Sequence, residues 1–245
     1  MKTETVAHTS KCELILALDL DEKAEALALL DRLENALDWV KVGLQMFTRW
    51  GPDLLDEVAS RGYRVFLDLK LHDIPNTVAG SIKSLIHRPV QMLTLHASGG
   101  PEMISAARAA RDDSGGNVKL VAVTILTSMD ETILARIGMN GPMEDRVGSL
   151  GEMAVGAGAD GLVCSPLELD ALRKRLGTLP LLVTPGIRPA ESDPGDQKRI
   201  MTPAMAASAG TNFIVVGRPI LKADNPHAAT VQITEELNEV SSSHG

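Results

Sequence analysis

Eight short apolar runs, separated by stretches with helical periodicity, constrain this chain more than any other feature. The runs are residues 14–18, 39–42, 64–69, 90–95, 118–124, 161–164, 181–184 and 213–216. Between the first two, Ala24, Leu27, Leu30, Leu33 and Leu37 recur at helical spacing along residues 21–37, with charges opposite. Strands alternating with helices require right-handed crossovers and a parallel sheet. Eight such units in 245 residues predict an α/β fold, a single (β/α)8 TIM barrel spanning 1–245. An open doubly wound sheet is the competitor, but the first strand runs into Leu18-Asp19-Leu20-Asp21 and not into a glycine-rich dinucleotide turn. Residues 1–11 and 241–245 read as flexible tails.

Composition narrows the partners. Hydrophobic residues make up 44% of the chain and aromatics 2%, so the core is expected to be built from Leu, Val, Ile, Ala and Met. The formal charge is -8 and no run of Lys and Arg could neutralise a nucleic-acid backbone, so no nucleic-acid partner is expected. Single basic residues beside glycine-rich turns suit a small phosphorylated ligand instead. Cys12 and Cys164 lie in or beside apolar stretches without metal-ligand spacing, which reads as buried thiols in a reducing cytosol. No secretory leader is expected, because Asp19 and Asp21 interrupt the one candidate apolar run. The uncharged stretch 200–217 approaches membrane-span length, yet Pro203, Ser208, Gly210, Thr211 and Asn212 break it. A small-residue helix followed by a strand explains it better, and no membrane partner is expected.

In a barrel, chemistry gathers where the strands end. Here those ends carry Asp19, Lys41, Asp68 with Lys70, His96, Thr127 with Ser128, and Gly217 with Arg218. Lys41 sits between Val40 and Val42, so its amine leaves on the face opposite to them and needs a partner. Asp19 reads equally well as the N-cap of the next helix. The densest signal is Asp68-Leu69-Lys70-Leu71-His72-Asp73-Ile74-Pro75-Asn76-Thr77. Alternation puts Asp68 and Lys70 on one strand face, with Asp73 in the following loop, Pro75 favouring extended chain before it, and Asn76 or Thr77 opening a helix. Such an array holds the lysine protonated and the carboxylates ionised, as a catalytic device or as a structural ion-pair network. His96 reads as a packed barrel residue, and Glu152 and Asp160 as solvated surface charge. The end of the chain supplies an anion site: Pro185-Gly186-Ile187-Arg188 after the seventh strand, and Gly217-Arg218-Pro219 after the eighth, where proline suits a first helical turn. Residues 188–203, rich in Pro, Gly and charge, form the longest irregular segment.

With those residues in view, the chain resembles the orotidine 5'-phosphate decarboxylases of bacterial-length, monofunctional type. The resemblance runs from Leu16-Ala17-Leu18-Asp19 to Val216-Gly217-Arg218-Pro219 and is most specific at Asp68-x-Lys70-x-x-Asp73-Ile74-Pro75-Asn76-Thr77, with support from Lys41-Val42-Gly43 and Leu126-Thr127-Ser128. It implies decarboxylation of orotidine 5'-monophosphate to UMP, the last step of de novo pyrimidine nucleotide synthesis, without cofactor or metal, in the cytoplasm. It also implies a charged tetrad of Lys41, Asp68, Lys70 and Asp73, and a homodimer in which Asp73 and Thr77 serve the neighbouring site. Asp19 and Lys41 would hold the ribose, Thr127 and Ser128 the pyrimidine edge, and Gln197, Gly217, Arg218 and Arg188 the phosphate, beside Pro185, with the 188–203 loop closing over the ligand. The nearest rival is a metal-dependent phosphosugar barrel enzyme, of the hexulose-phosphate synthase or keto-gulonate-phosphate decarboxylase type, which shares the Asp-x-Lys-x-x-Asp pattern. A catalytically silent barrel that binds a nucleotide or a partner protein is the reading from another class.

Overall fold

In the computed structural model, which describes residues 11–189 and 201–243, eight parallel strands close into a barrel in chain order. Its first half comprises β1 (Glu13–Ala17), α1 (Lys23–Leu33), β2 (Trp39–Gly43), α2 (Leu44–Trp50), α3 (Asp53–Ala59), β3 (Arg64–Leu71), α4 (Pro75–Leu85), β4 (Val90–His96) and α5 (Gly100–Asp113). Its second half comprises β5 (Lys119–Val123), α6 (Glu131–Arg136), α7 (Met143–Gly156), β6 (Gly161–Val163), α8 (Leu169–Leu176), β7 (Leu181–Pro185), α9 (Pro203–Ser208), β8 (Phe213–Val216), α10 (Arg218–Leu221) and α11 (Pro226–Ser243). Pairing of Leu14 with Ile214 and of Leu16 with Val216 closes the ring.

Strand alternation sorts the apolar residues into two cores. Leu14, Leu16, Val40, Val42, Val65, Leu67, Leu93 and Leu95 join the large core between strands and helices. Their alternate neighbours, Ile15, Ala17, Trp39, Phe66, Met92, Val121, Val183, Phe213 and Val215, fill the barrel itself. That smaller core departs from the aliphatic expectation: three of the six aromatic residues in the chain lie in it, and Trp39 meets Phe213 edge to face at 5.3 Å. A barrel interior has few positions, so large rings fill it with few residues. Toward the carboxyl ends of β2, β3 and β4 the same parity brings in Lys41, Asp68 and Thr94. The interior therefore changes from apolar to charged along its length.

Several expectations need correction. The first helix ends at Leu33, short of Leu37, because Glu34 and Asn35 take left-handed backbone (φ 47 and 61). Its buried stripe is Ala26, Leu29, Leu30 and Leu33, with Ala24 exposed. Asp19 does not cap it, since Glu22 occupies the N-cap position. Helix α4 begins at Pro75, one residue before Asn76, after an extended Ile74. Helix α11 runs on through residues 241–243. Asp160 is no solvated charge: it pairs with Arg111 and accepts the Leu120 amide at 2.8 Å, tying α5 to the start of β5. The stretch 200–217 resolves, over its described residues, into α9 and β8, and among the described residues no helix is long and apolar enough to cross a membrane. Both cysteines are free and buried, and burial pushes the Cys12 thiol up to about 12.

Candidate active site

Four side chains from three neighbouring strands form an alternating row at the barrel mouth. Asp19, just past β1, accepts from the Lys41 amine at 3.0 Å. Lys41 lies 3.7 Å from Asp68 Oδ2, and the Lys70 amine lies 2.8 Å from Asp68 Oδ1 and 2.9 Å from Oδ2. Lys41 is 8% exposed, so burial would be costly without the two carboxylates that flank it. For Asp68, desolvation alone would raise the pKa. The charges of Lys41 and Lys70, with hydrogen bonds from Lys70 and Thr94, outweigh that and hold it below its ordinary 3.8.

The row differs from the one that sequence spacing suggests. Asp73 is exposed and accepts its neighbour's amide, Ile74 N–H, at 2.6 Å; among the described residues no ion pair ties it to Lys70. Asp19 takes the outer acidic place instead. Nor does simple alternation bring Lys70 to Asp68, because β3 is bulged between Leu67 and Leu71 and Lys70 adopts φ 52. Thr94, which spacing did not single out, lies under that bulge. A hydroxyl set between Leu93 and Leu95 in β4, on the parity of Met92, was the available signal.

Two cavities adjoin the row across Lys41, Pro185 and Val215. One, of 170 Å³, is mostly apolar, lined by Phe66, Val123, Ile125, Leu126, Val163 and Cys164 with Asp68, Lys70 and Thr127. The other, of 410 Å³, carries Asp19, Arg188, Gly217 and Arg218 on its walls. Grooves of 550 and 560 Å³ lie elsewhere, so size does not select the site. Convergent charge at the carboxyl ends of the strands does. Ser128 is exposed and lines neither of the two adjoining cavities, and neither do Asp73 and Thr77, which sit with Ile74 on an exposed stretch. Gln197 and the expected closure of the 188–203 loop lie outside the described residues, although Arg188 N–H donates to Met201 O at 3.0 Å across its ends.

Glycines keep the mouth open. A Cβ on Gly43 would come 2.7 Å from the Lys41 amine and 3.2 Å from Asp19 Oδ1. One on Gly217 would press on the Ala17 methyl at 3.3 Å, so the visible need for glycine there is close packing of β8 on β1. His96 packs on His72 with ring centroids 5.3 Å apart, and burial first, then the neighbouring His72 and Lys70, lower its pKa. That matches a packed barrel histidine held neutral.

Residues 13–233 match the profile of the "Orotidine 5'-phosphate decarboxylase / HUMPS family". The chain belongs to this family. A protein named orotidine 5'-phosphate decarboxylase from Opitutus terrae is 50% identical over 226 residues, 92% of this chain and 98% of that protein. One of the same name from Alkalilimnicola ehrlichii is 48% identical over 93% of this chain and 97% of its own length. Among solved structures, orotidine 5'-phosphate decarboxylase from Lactobacillus acidophilus superimposes with a TM-score of 0.82 at 41% identity, covering 93% of this chain and 99% of that one. The family description spans both readings of the Asp-x-Lys-x-x-Asp pattern, and these relatives carry the decarboxylase name.

Proposed function

We propose that the chain is a carboxy-lyase that converts orotidine 5'-monophosphate to uridine 5'-monophosphate and CO2, the last step of de novo pyrimidine nucleotide synthesis. The observation that carries this is the Asp19–Lys41–Asp68–Lys70 row, set between an apolar slot and a cavity bearing two arginines.

Breaking the bond from C6 to the carboxylate releases CO2 and leaves an electron pair in the plane of the pyrimidine, where the ring's π system cannot spread it. The site has to supply positive charge in place. The Lys70 ammonium provides it and then gives its proton to C6, ending as a neutral amine. Asp68 holds that ammonium and, standing near the departing carboxylate, disfavours the bound substrate more than the transition state. The 170 Å³ slot takes the pyrimidine, with Thr127 at its edge. Asp19 and Lys41 take the ribose hydroxyls, and Arg188, Gly217 and Arg218 the phosphate, beside Pro185. Phosphate binding, remote from C6, contributes energy to ordering the site. No step calls for a metal or another cofactor.

Asp73 and Thr77 act in the site of a second copy, in a homodimer, where Asp73 orients the partner's lysine. The exposed stretch from Asp73 to Thr77, with Ile74 66% exposed in its middle, supports this, because an apolar side chain beside a charged site is what a subunit contact covers. Two buried free thiols fit a reducing cytoplasm.

The test is the loss of ultraviolet absorbance when purified protein meets orotidine 5'-monophosphate in the presence of a chelator. Steady decay without added metal is expected. No decay overturns the assignment, and metal-dependent turnover of a phosphosugar in its place favours the metal-dependent phosphosugar branch.

A further inference from the structure

Strands β3 and β4 do not keep one register. Leu67 faces Leu93 and Leu71 faces Leu95, so Asp68, Leu69 and Lys70 span the single residue Thr94. A ladder cannot pair three residues with one; the surplus chain leaves backbone groups without ladder partners and must double back. It does so at Lys70, whose φ of 52 is a conformation lysine rarely adopts.

Thr94 lies under this bulge with no exposed surface. Its hydroxyl accepts the Lys70 backbone N–H at 2.7 Å and sits 3.0 Å from Asp68 Oδ1. An amide N–H can only donate and an ionised carboxylate can only accept, so both directions are fixed, with Thr94 giving its one proton to Asp68. The Lys70 amine closes the ring by donating to that same oxygen at 2.8 Å. One hydroxyl thus joins the backbone that carries the cation to the carboxylate that aims it.

We propose that Thr94 is a positioning residue for decarboxylation: it fixes the bulged backbone of Lys70 and the rotamer of Asp68, and so the place of the ammonium, without touching the substrate. This rests on the reading of Lys70 as the proton donor. Met92 and Thr94 share the interior parity of β4, and valine at 94 would fill nearly the same space. It would leave the Lys70 N–H unpaired in a buried site and take one donor from Asp68. An ammonium displaced by about 1 Å costs on the order of 100-fold in rate.

The experiment compares kcat, KM and the pH profile of the wild type with Thr94→Val and Thr94→Ser, each checked for folding by circular dichroism. Thr94→Val is expected to lose about 100-fold in kcat with KM changed less than about threefold, since ground-state binding is untouched. The acid limb of its profile should move to higher pH, because Asp68 loses a donor that favours its ionised form. The charged or titratable groups facing Asp68 are Lys41 from β2, Lys70 from its own strand and His96 from β4, and all three stay in place. Thr94→Ser, which keeps the hydroxyl, should recover to within about threefold of wild type. Should valine disturb folding, Thr94→Ser against Thr94→Ala reads the same hydroxyl. Wild-type kcat in Thr94→Val, or equal loss in the Ser variant and its hydroxyl-free counterpart, overturns the proposal. A wild type that leaves orotidine 5'-monophosphate unchanged overturns the decarboxylase reading instead.

Discussion

The Lys70 ammonium reaches both carboxylate oxygens of Asp68, at 2.8 and 2.9 Å, through a left-handed turn in the middle of a strand. In regular strand geometry residues two apart lie on one face but point along parallel lines. The turn bends the second side chain back onto the first. Left-handed backbone costs a non-glycine residue about 1–2 kcal/mol, so the pair is held by strain that the fold has to offset elsewhere. Strain kept beside a charged pair at the barrel mouth is what a preorganised site requires.

Replacing Lys70 separates that strain from the chemistry. Lys70→Ala and Lys70→Gly should both fold and both lose turnover, since neither carries a proton to give. The glycine variant, free to adopt a positive φ, should be the more stable of the two by about 1 kcal/mol. Urea unfolding of the two variants measures the difference; equal midpoints would show that the turn relaxes in solution, and activity in either would remove Lys70 as the donor.

Much of the fold and part of the site were legible in the residues. The strands begin and end within two positions of the apolar runs, because aliphatic segments that short have no other way to be buried on both faces. Lys41 could be read as paired because valines on either side fix its direction. The bulge could not be read: no glycine or proline marks it, and Leu69 and Leu71 continue the alternation as though the strand were regular. Thr94 resembles any β-branched strand residue until its two partners are seen. Asp73 is close to Lys70 in sequence, yet the loop turns it outward, while Asp19, 51 positions away, arrives through the closing of β1 on β2. Early termination of α1 escaped notice because glutamate and asparagine, not glycine, take the left-handed turn.

Asp68 makes stability depend on pH in a definite direction. Its folded pKa lies below its ordinary value, so its contribution is full above 3.8 and is lost as pH falls through the lower folded value. Wild type should therefore lose stability faster than Asp68→Asn as pH drops below about 4, while the difference between them stays flat from there to neutrality. Chemical unfolding at stepped pH checks this; parallel curves throughout would mean that Asp68 is not held ionised by the fold.

Gly43 offers a way to move one cation without unfolding the barrel. The Cβ of Gly43→Ala would intrude on the Lys41 amine, the free end of a flexible side chain, and on Asp19. The amine can yield, so stability should change by less than about 1 kcal/mol while kcat/KM falls by at least about tenfold. Full activity in this variant would show that the Asp19–Lys41 contact is not needed in place.

Arg218 sits on the wall of the 410 Å³ cavity. If it holds phosphate, Arg218→Ala should weaken binding of uridine 5'-monophosphate by about 1.5–3 kcal/mol, the range for a hydrogen bond to a charged group, and leave uridine binding nearly unchanged. Calorimetry with both ligands decides it, because equal losses would place the guanidinium's role in the fold and not at the phosphate.

Sharing of residues between two copies has a numerical signature. Lys70→Ala and Asp73→Ala homodimers would each lack one member at every site. In a mixed dimer, one site combines both defects, and the other draws Lys70 from one chain and Asp73 from the other, both intact. Random exchange at equal concentration gives mixed dimers in half of the population, so about one quarter of all sites should regain wild-type composition, as two-fold symmetry dictates. Activity rising from near zero toward that fraction on mixing, with exchange verified by native mass spectrometry, is the expected result. If exchange is complete and activity stays at the level of the separate variants, Asp73 acts in its own chain or not at all. If it acts in its own chain, the exposed, outward-turned carboxylate has to swing back toward Lys70 when substrate binds.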